Sequence, residues 1–293
     1  MLKRKSLVIG LVLLLSLALA GGLAFSAKVE VTTTIDIYDQ GRINWEEGVV
    51  KSTGMGAPPS GMPQGQARMM ARRAAVADCY RNLAEIVYGV RVDSETLVRN
   101  FVTESDLIRT KVTGMIKGAQ IVSEKQMPDG SYEVIMVIPL YGKESVGNII
   151  LPEAVSQQKV KMEEAGKEII PLPPAPEVPL EGSYTGLIID ARGKGVKPCM
   201  SPKIISEDGD EVYGTMKVDP EIVIEKGIIG YAHSMGKAKQ SWRAGDRPLI
   251  IEATGKCGAF KADVLVTQKD AQRIKEANRE AGFLQNLRVT IVS

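Results

Sequence analysis

From Lys28 the chain alternates. Val29, Val31, Thr33, Ile35 and Ile37 fall on one side and Glu30, Thr32, Thr34 and Asp36 on the other, the period of two of a half-buried strand. Asp39-Gln40-Gly41 turns it, and a second arm from Arg42 to Ser52 returns with Ile43, Trp45, Val49 and Val50, so the opening predicts a hairpin. Gly54 to Gly61 combines glycine freedom with two prolines and predicts a loop. The period then lengthens. Over Gln66 to Tyr88, Met69, Val76, Tyr80, Leu83 and Val87 share a helical face, flanked by Met70, Ala77 and Ala84, and Gly89 ends the helix. Arg73 projects from the middle of that face. A cation there needs an acidic partner or a path to water, so the expected use of Arg73 is a buried ion pair tying helix to sheet, with a ligand-facing cation as the alternative.

Val90 to Phe101 predicts a strand. Thr103-Glu104-Ser105-Asp106 offers helix caps, and Ile108, Val112, Met115 and Ile116 form a face that stops at Gly118. Ala119–Gln126 and Ser131–Leu140 flank Pro128-Asp129-Gly130, a hairpin signal. The first unit is thus β-β-α-β-α-β-β over residues 28–143. Residues 144–181 are polar, with a short helix, and then proline-rich from Pro171 to Pro179, which predicts an extended, semi-rigid spacer. A second unit, 182–293, carries strands at Thr185–Ala191, Lys203–Ser206, Glu211–Tyr213, Ile228–Ala232, Pro248–Ala253, Lys261–Val266 and Leu284–Val292. It has a helical turn at Pro220–Glu225 and a helix from Thr267 or Asp270 to Ala281. The expected fold class is α+β: two small mixed helix and antiparallel-sheet domains joined by a Pro-rich linker.

The N-terminus changes the setting. Lys3, Arg4 and Lys5 precede an apolar run from Leu7 to Ala20, and small residues follow, the order of a secretory signal peptide over 1–26. Export to the periplasm or cell envelope is the expectation, with an uncleaved anchor as the alternative. The segment lacks cysteine, so no acylated N-terminal Cys is expected. The net charge of +2 implies neither a nucleic-acid partner nor a strongly basic membrane surface, leaving membrane contact to the N-terminal segment if it stays attached.

Little of the chain reads as reaction chemistry, and no cofactor is expected. His233 is the single histidine, which removes most zinc sites and leaves any Ser-His-Asp arrangement to one position beside Ser234. An envelope hydrolase using the His233 region is one alternative function. The glycine turn Ala191-Arg192-Gly193-Lys194-Gly195 carries two cations and suggests another, an anion or small-ligand module, although a plain surface turn explains it as well. Asp129 and Asp208 occupy Asp-Gly turns. Of the three cysteines, Cys79 falls in a helix pattern, while Cys199 and Cys257 form a candidate disulfide in an oxidising compartment; Lys256 beside Cys257 is the rival, a reactive pair.

One stretch carries a family likeness. Gly65 to Asp78, followed by Arg81-Asn82-Leu83 and Gly89-Val90, resembles the domain shared by flagellar assembly protein T and the twenty-kilodalton surface lipoprotein family of bacteria. Val112-Thr113-Gly114, Ile116-Lys117-Gly118-Ala119, Asp129 to Val134 and Trp45-Glu46-Glu47-Gly48 extend the likeness over roughly 42–142. Thr185 to Ala191 and Ser201-Pro202-Lys203-Ile204 resemble, less specifically, an extension of longer envelope members. The resemblance implies an α+β module without catalytic residues that packs against other envelope or flagellar basal-body proteins, or against itself. The expectation is a non-enzymatic, exported scaffold.

Overall fold

The structure is a computed structural model, and it describes residues 34–166 and 168–293. The expected signal peptide at 1–26 and the strand residues before Thr34 lie outside the described residues.

Three short antiparallel strands open the fold: β1 (Ile35–Tyr38), β2 (Gly41–Asn44) and β3 (Val49–Gly56). The predicted second arm of the hairpin is therefore two strands, broken by a turn at Trp45–Gly48. The long helix α1 (Gln64–Tyr88) follows, then α2 (Val98–Glu104) and α3 (Asp106–Lys117), whose first turn is capped by Ser105. The hairpin β4 (Gln120–Gln126) and β5 (Tyr132–Pro139) completes a sheet in the order β1-β2-β3-β5-β4. α4 (Val146–Glu164) closes this half.

Two expectations fail here for the same reason. The predicted loop at Gly54–Gly61 begins three residues later, because Gly54, Met55 and Gly56 are strand residues lying under α1. A Cβ at Gly54 would overlap the Ala75 carbonyl oxygen and the Cys79 nitrogen, and one at Gly56 would overlap the Ala71 carbonyl. The helix face that meets them is accordingly small: Ala67, Ala71, Ala75 and Cys79 are buried, followed by Leu83, Ile86 and Val87. Of the face expected to be core, Leu83 and Val87 are buried and Val76 and Tyr80 pack against the core, but Met69 at its start is turned outward, 60% exposed. Arg73 is exposed as well and makes no buried ion pair; its neighbour Arg72 reaches Glu124 on β4 instead, on the surface. Close approach also lets α1 side chains bond to β3 beyond the end of β2: Asn82 Nδ2 donates to Thr53 O at 2.8 Å, and Asp78 accepts from Met55 N at 3.0 Å.

The second half contains β6 (Gly186–Asp190), β7 (Ile204–Ser206), β8 (Glu211–Tyr213), α5 (Pro220–Lys226), β9 (Gly230–Ala232) and α6 (Met235–Gln240). After these come β10 (Pro248–Glu252), β11 (Gly255–Cys257), β12 (Asp263–Val266), α7 (Gln268–Ala281) and β13 (Val289–Val292). Mixed α+β architecture is as expected, but the antiparallel arrangement is not general. The sheet β10-β6-β13-β9 is parallel throughout, and in β11-β12-β7-β8 the central pair is parallel. Strands covered on both faces become near-continuous apolar runs, as Leu187-Ile188-Ile189 and, with one threonine, Val289–Val292 do. The proline-rich stretch is extended and runs along this half, with Leu172 N donating to Lys217 O and Leu180 N to Glu280 O.

Residues 90–97 are a knot of turns and no strand, and they join the two halves. Asp93 Oδ1 accepts from the Glu95 and Thr96 amides and tightens the loop. The Arg91 and Val92 carbonyls accept from Met200 N and Ser201 N at 3.0 and 2.7 Å. The Arg91 guanidinium donates through Nε to Pro198 O at 2.6 Å, pairs with Asp36 on β1, and lies over the Trp45 ring, 5.5 Å from its centroid. Trp45 Nε1 donates to the same Asp36 at 2.7 Å, and its ring meets Tyr231 edge-on. Lower in the joint, Asp263 accepts from Ser94 Oγ at 2.5 Å and from Lys203 N at 2.8 Å. Burial raises that carboxyl above its usual range, and the two donors oppose the shift. One apolar core runs through both halves, from Ile43 and Leu83 to Tyr231 and Ile291.

Three outcomes follow. Gly54→Ala should lower the unfolding free energy by about 2–3 kcal/mol in urea titrations, since helix and strand must separate. Gly114→Ala, inside α3 with open space around it, should raise it by about 0.5–1 kcal/mol. Arg91→Met should cost about 3 kcal/mol by stranding Asp36, and adding Asp36→Asn in the same chain should recover part of that loss in a double-mutant cycle.

Candidate functional site

His233 follows the carboxyl end of β9, where its Nδ1 lies 2.7 Å from Glu46 Oε2, a residue from the β2–β3 turn. Ser234 beside it is the N-cap of α6, its hydroxyl accepting from Lys237 N. The structure therefore joins His233 to an acid across the two halves and commits the neighbouring hydroxyl to a helix end. The glycine turn uses its cations locally. Arg192 folds back on Asp190 with two bonds of 2.8 and 2.6 Å, which holds that carboxyl below its usual range, and Lys194 reaches Glu252. Gly193 and Gly195 both take the left-handed backbone that the turn requires.

All three cysteines are free. The candidate disulfide between Cys199 and Cys257 is not formed. Cys199 is wholly buried at the joint, where its backbone N donates to the Tyr231 hydroxyl and its carbonyl accepts from it, whereas Cys257 sits half-buried on the edge strand β11. Burial drives the Cys199 thiol well above its ordinary range and raises that of Cys257, the opposite of what a reactive thiolate needs. Cys79 contacts Ser52 Oγ beneath α1, where burial raises its thiol also. Asp129 is a turn residue bonded to Ser131, and Asp208 lies in the β7–β8 turn. Among the described residues, no group of three or more His, Cys, Asp or Glu side chains is placed to hold a metal ion. None of the described helices is long and apolar enough to cross a membrane.

The residues that organise the molecule were not among the candidates. Arg91, Asp36, Glu46, Ser94 and Asp263 meet only in the fold. A charged residue inside an apolar triplet, as in Val90-Arg91-Val92 and Ala262-Asp263-Val264, was the available signal. Two surface features of the first half remain open. All seven residues of β4 are exposed, including Ile121 and Val122, and the strand is the outer edge of its sheet. Its outward backbone groups lack a neighbouring strand, the geometry through which extended segments add to sheets. Next to its first residues lies a cavity of about 500 Å³ between α3, β5 and the start of α4. Met115, Ile149 and Val137 supply its apolar lining, and Lys111 and Lys143 its cations.

Two family models match the chain. The LPP20 lipoprotein model covers residues 53–139, inside the span expected from Gly65–Asp78 and its flanks, and contains the second half of β3 and all of α1, α2, α3, β4 and β5. A model of the second domain of Treponema pallidum Tp0624 covers residues 186–293. No curated protein matches the chain. From β3 to β5 this protein is thus similar to the LPP20 lipoproteins, and from β6 to its last strand to the second domain of Treponema pallidum Tp0624.

Proposed function

We propose that the chain is an exported cell-envelope protein that acts through protein–protein contacts and not through turnover of a substrate. The observation that carries this reading is the coincidence of the LPP20 match with the half of the molecule that presents the open strand β4. The polar groups that sequence reasoning singled out have structural partners: His233 has Glu46, Arg192 has Asp190, and Lys194 has Glu252. The basic-then-apolar order at residues 1–20 supports export. A place at the flagellar basal body is the finer reading; it rests on the resemblance of Gly65–Asp78 and its flanks to flagellar assembly protein T.

In fractionated cells of the host, the protein should be found with the envelope, with residues 1–26 removed or embedded in membrane. Recovery from the cytosol with those residues attached would end the proposal. For the flagellar reading, deleting the gene should reduce swimming and the density of rings at the basal body, and normal motility with intact rings would remove it.

A further inference from the structure

The second half holds an aromatic-lined cationic cavity. The cavity measures about 430 Å³ and opens at the amino ends of β6, β9 and β13. Its lining includes Tyr184, Trp242, Lys226, Asn286 and Arg288, and no carboxylate. The chain has two tryptophans; Trp45 is buried in the joint, and Trp242 is 55% exposed here beside Tyr184 at 39%. Exposing two large rings at one cavity mouth is costly in water unless something covers them.

Trp242 is also held in place. The guanidinium of Arg243 lies against one face of its ring, 4.7 Å from the centroid. Arg243 is itself buried and cannot shift: it donates to the Leu287 carbonyl, to Lys226 O at 2.5 Å and to Gly227 O at 2.9 Å. No acid neutralises it among the described residues, and burial lowers its affinity for the proton. The ring is therefore a fixed shelf with a cation behind it. Lys226 and Arg288 line the cavity without ion-pair partners among the described residues, and Arg288 Nη1 lies 3.4 Å from Thr185 O, so the lining carries two cations that no carboxylate neutralises.

We infer that this cavity binds an acidic saccharide, stacking a sugar ring on Trp242 and Tyr184 and taking its carboxylate or phosphate on Lys226 and Arg288. The negative face of an indole attracts the polarised C–H bonds on one side of a pyranose, while an anionic substituent meets the two cations. Asn286 adds an amide for a hydroxyl or N-acetyl group. A nucleotide shares the pairing of flat ring and anion. The choice of saccharide over nucleotide rests on the proposed envelope location, where acidic glycans are abundant and free nucleotides are not.

Calorimetry on the purified full chain tests the site independently of cell fractionation. The probes are peptidoglycan fragments released by muramidase, which carry carboxylates, deacylated lipopolysaccharide, which carries phosphates, neutral chitotetraose and AMP. Saturable heat is expected with one or both acidic glycans, and the stronger of the two identifies the source. Trp242→Ala should weaken that binding by about tenfold or more, and Trp242→Phe by less, with the melting temperature of each unchanged. Lys226→Gln with Arg288→Gln should abolish the preference over chitotetraose. The inference falls if neither acidic glycan binds, if chitotetraose binds as well as they do, if AMP binds more tightly, or if a folded Trp242→Phe and Trp242→Ala both titrate like the parent chain.

Discussion

Arg91 is the residue on which the two halves depend. Its side chain touches β1 through Asp36, the β2–β3 turn through Trp45 and the start of the second half through Pro198, while its carbonyl accepts from Met200. A guanidinium suits this place because its donors diverge in a plane, so one group can serve a carboxylate, a carbonyl and an aromatic face together. Lysine, a compact point charge, would satisfy one of these and leave the rest unpaired. Trp45 and Tyr231 extend the contact into apolar packing, and from there the core is continuous. The proline stretch is itself tied to the second half, with Leu172 N donating to Lys217 O and Leu180 N to Glu280 O.

What the sequence disclosed followed the strength of local rules. Ser105 and Thr267 cap the helices they were expected to cap, and Asp129-Gly130 and Asp208-Gly209 turn the hairpins they were expected to turn, because caps and turns depend on a few adjacent residues. Errors arose where distant chain decided the outcome. Gly54 and Gly56 suggest a loop in isolation, but helix α1, lying against them, makes them strand. The same contact sets the first turns of α1, because a helix on a glycine-lined strand needs alanines inward, so Met69 and Arg73 point to water while Leu83 and Val87 keep the inward place their spacing predicts. Val90–Phe101 has the apolar content of a strand but divides into a loop and a helix, since its backbone bonds to residues about a hundred positions later.

The parallel strands of the second half show a related limit. Leu187-Ile188-Ile189 and, apart from Thr290, Val289–Val292 carry the apolar runs of strands buried on both faces, which favours a parallel sheet. Their pairing could not be read, because β6 lies beside β10 and β13, and crossovers of that length leave no short-range mark. Tyr184 and Trp242 are likewise remote in sequence. Aromatic residues are only 5% of the chain, and composition cannot report that two of those rings share one cavity mouth.

The position of that cavity follows from the joint. In parallel sheets, ligands ordinarily meet the carboxyl ends of the strands. Here the carboxyl end of β9 is where His233 bonds to Glu46 of the first half, and its middle residue Tyr231 packs on Trp45. The first half thus occupies the end at which an isolated parallel unit would bind, and the open cavity lies at the amino ends. With the exposed strand β4 on one half and the cationic cavity on the other, partner contact and ligand contact need not compete for the same surface. The proposed partner edge and the proposed glycan site would then be engaged together on one chain.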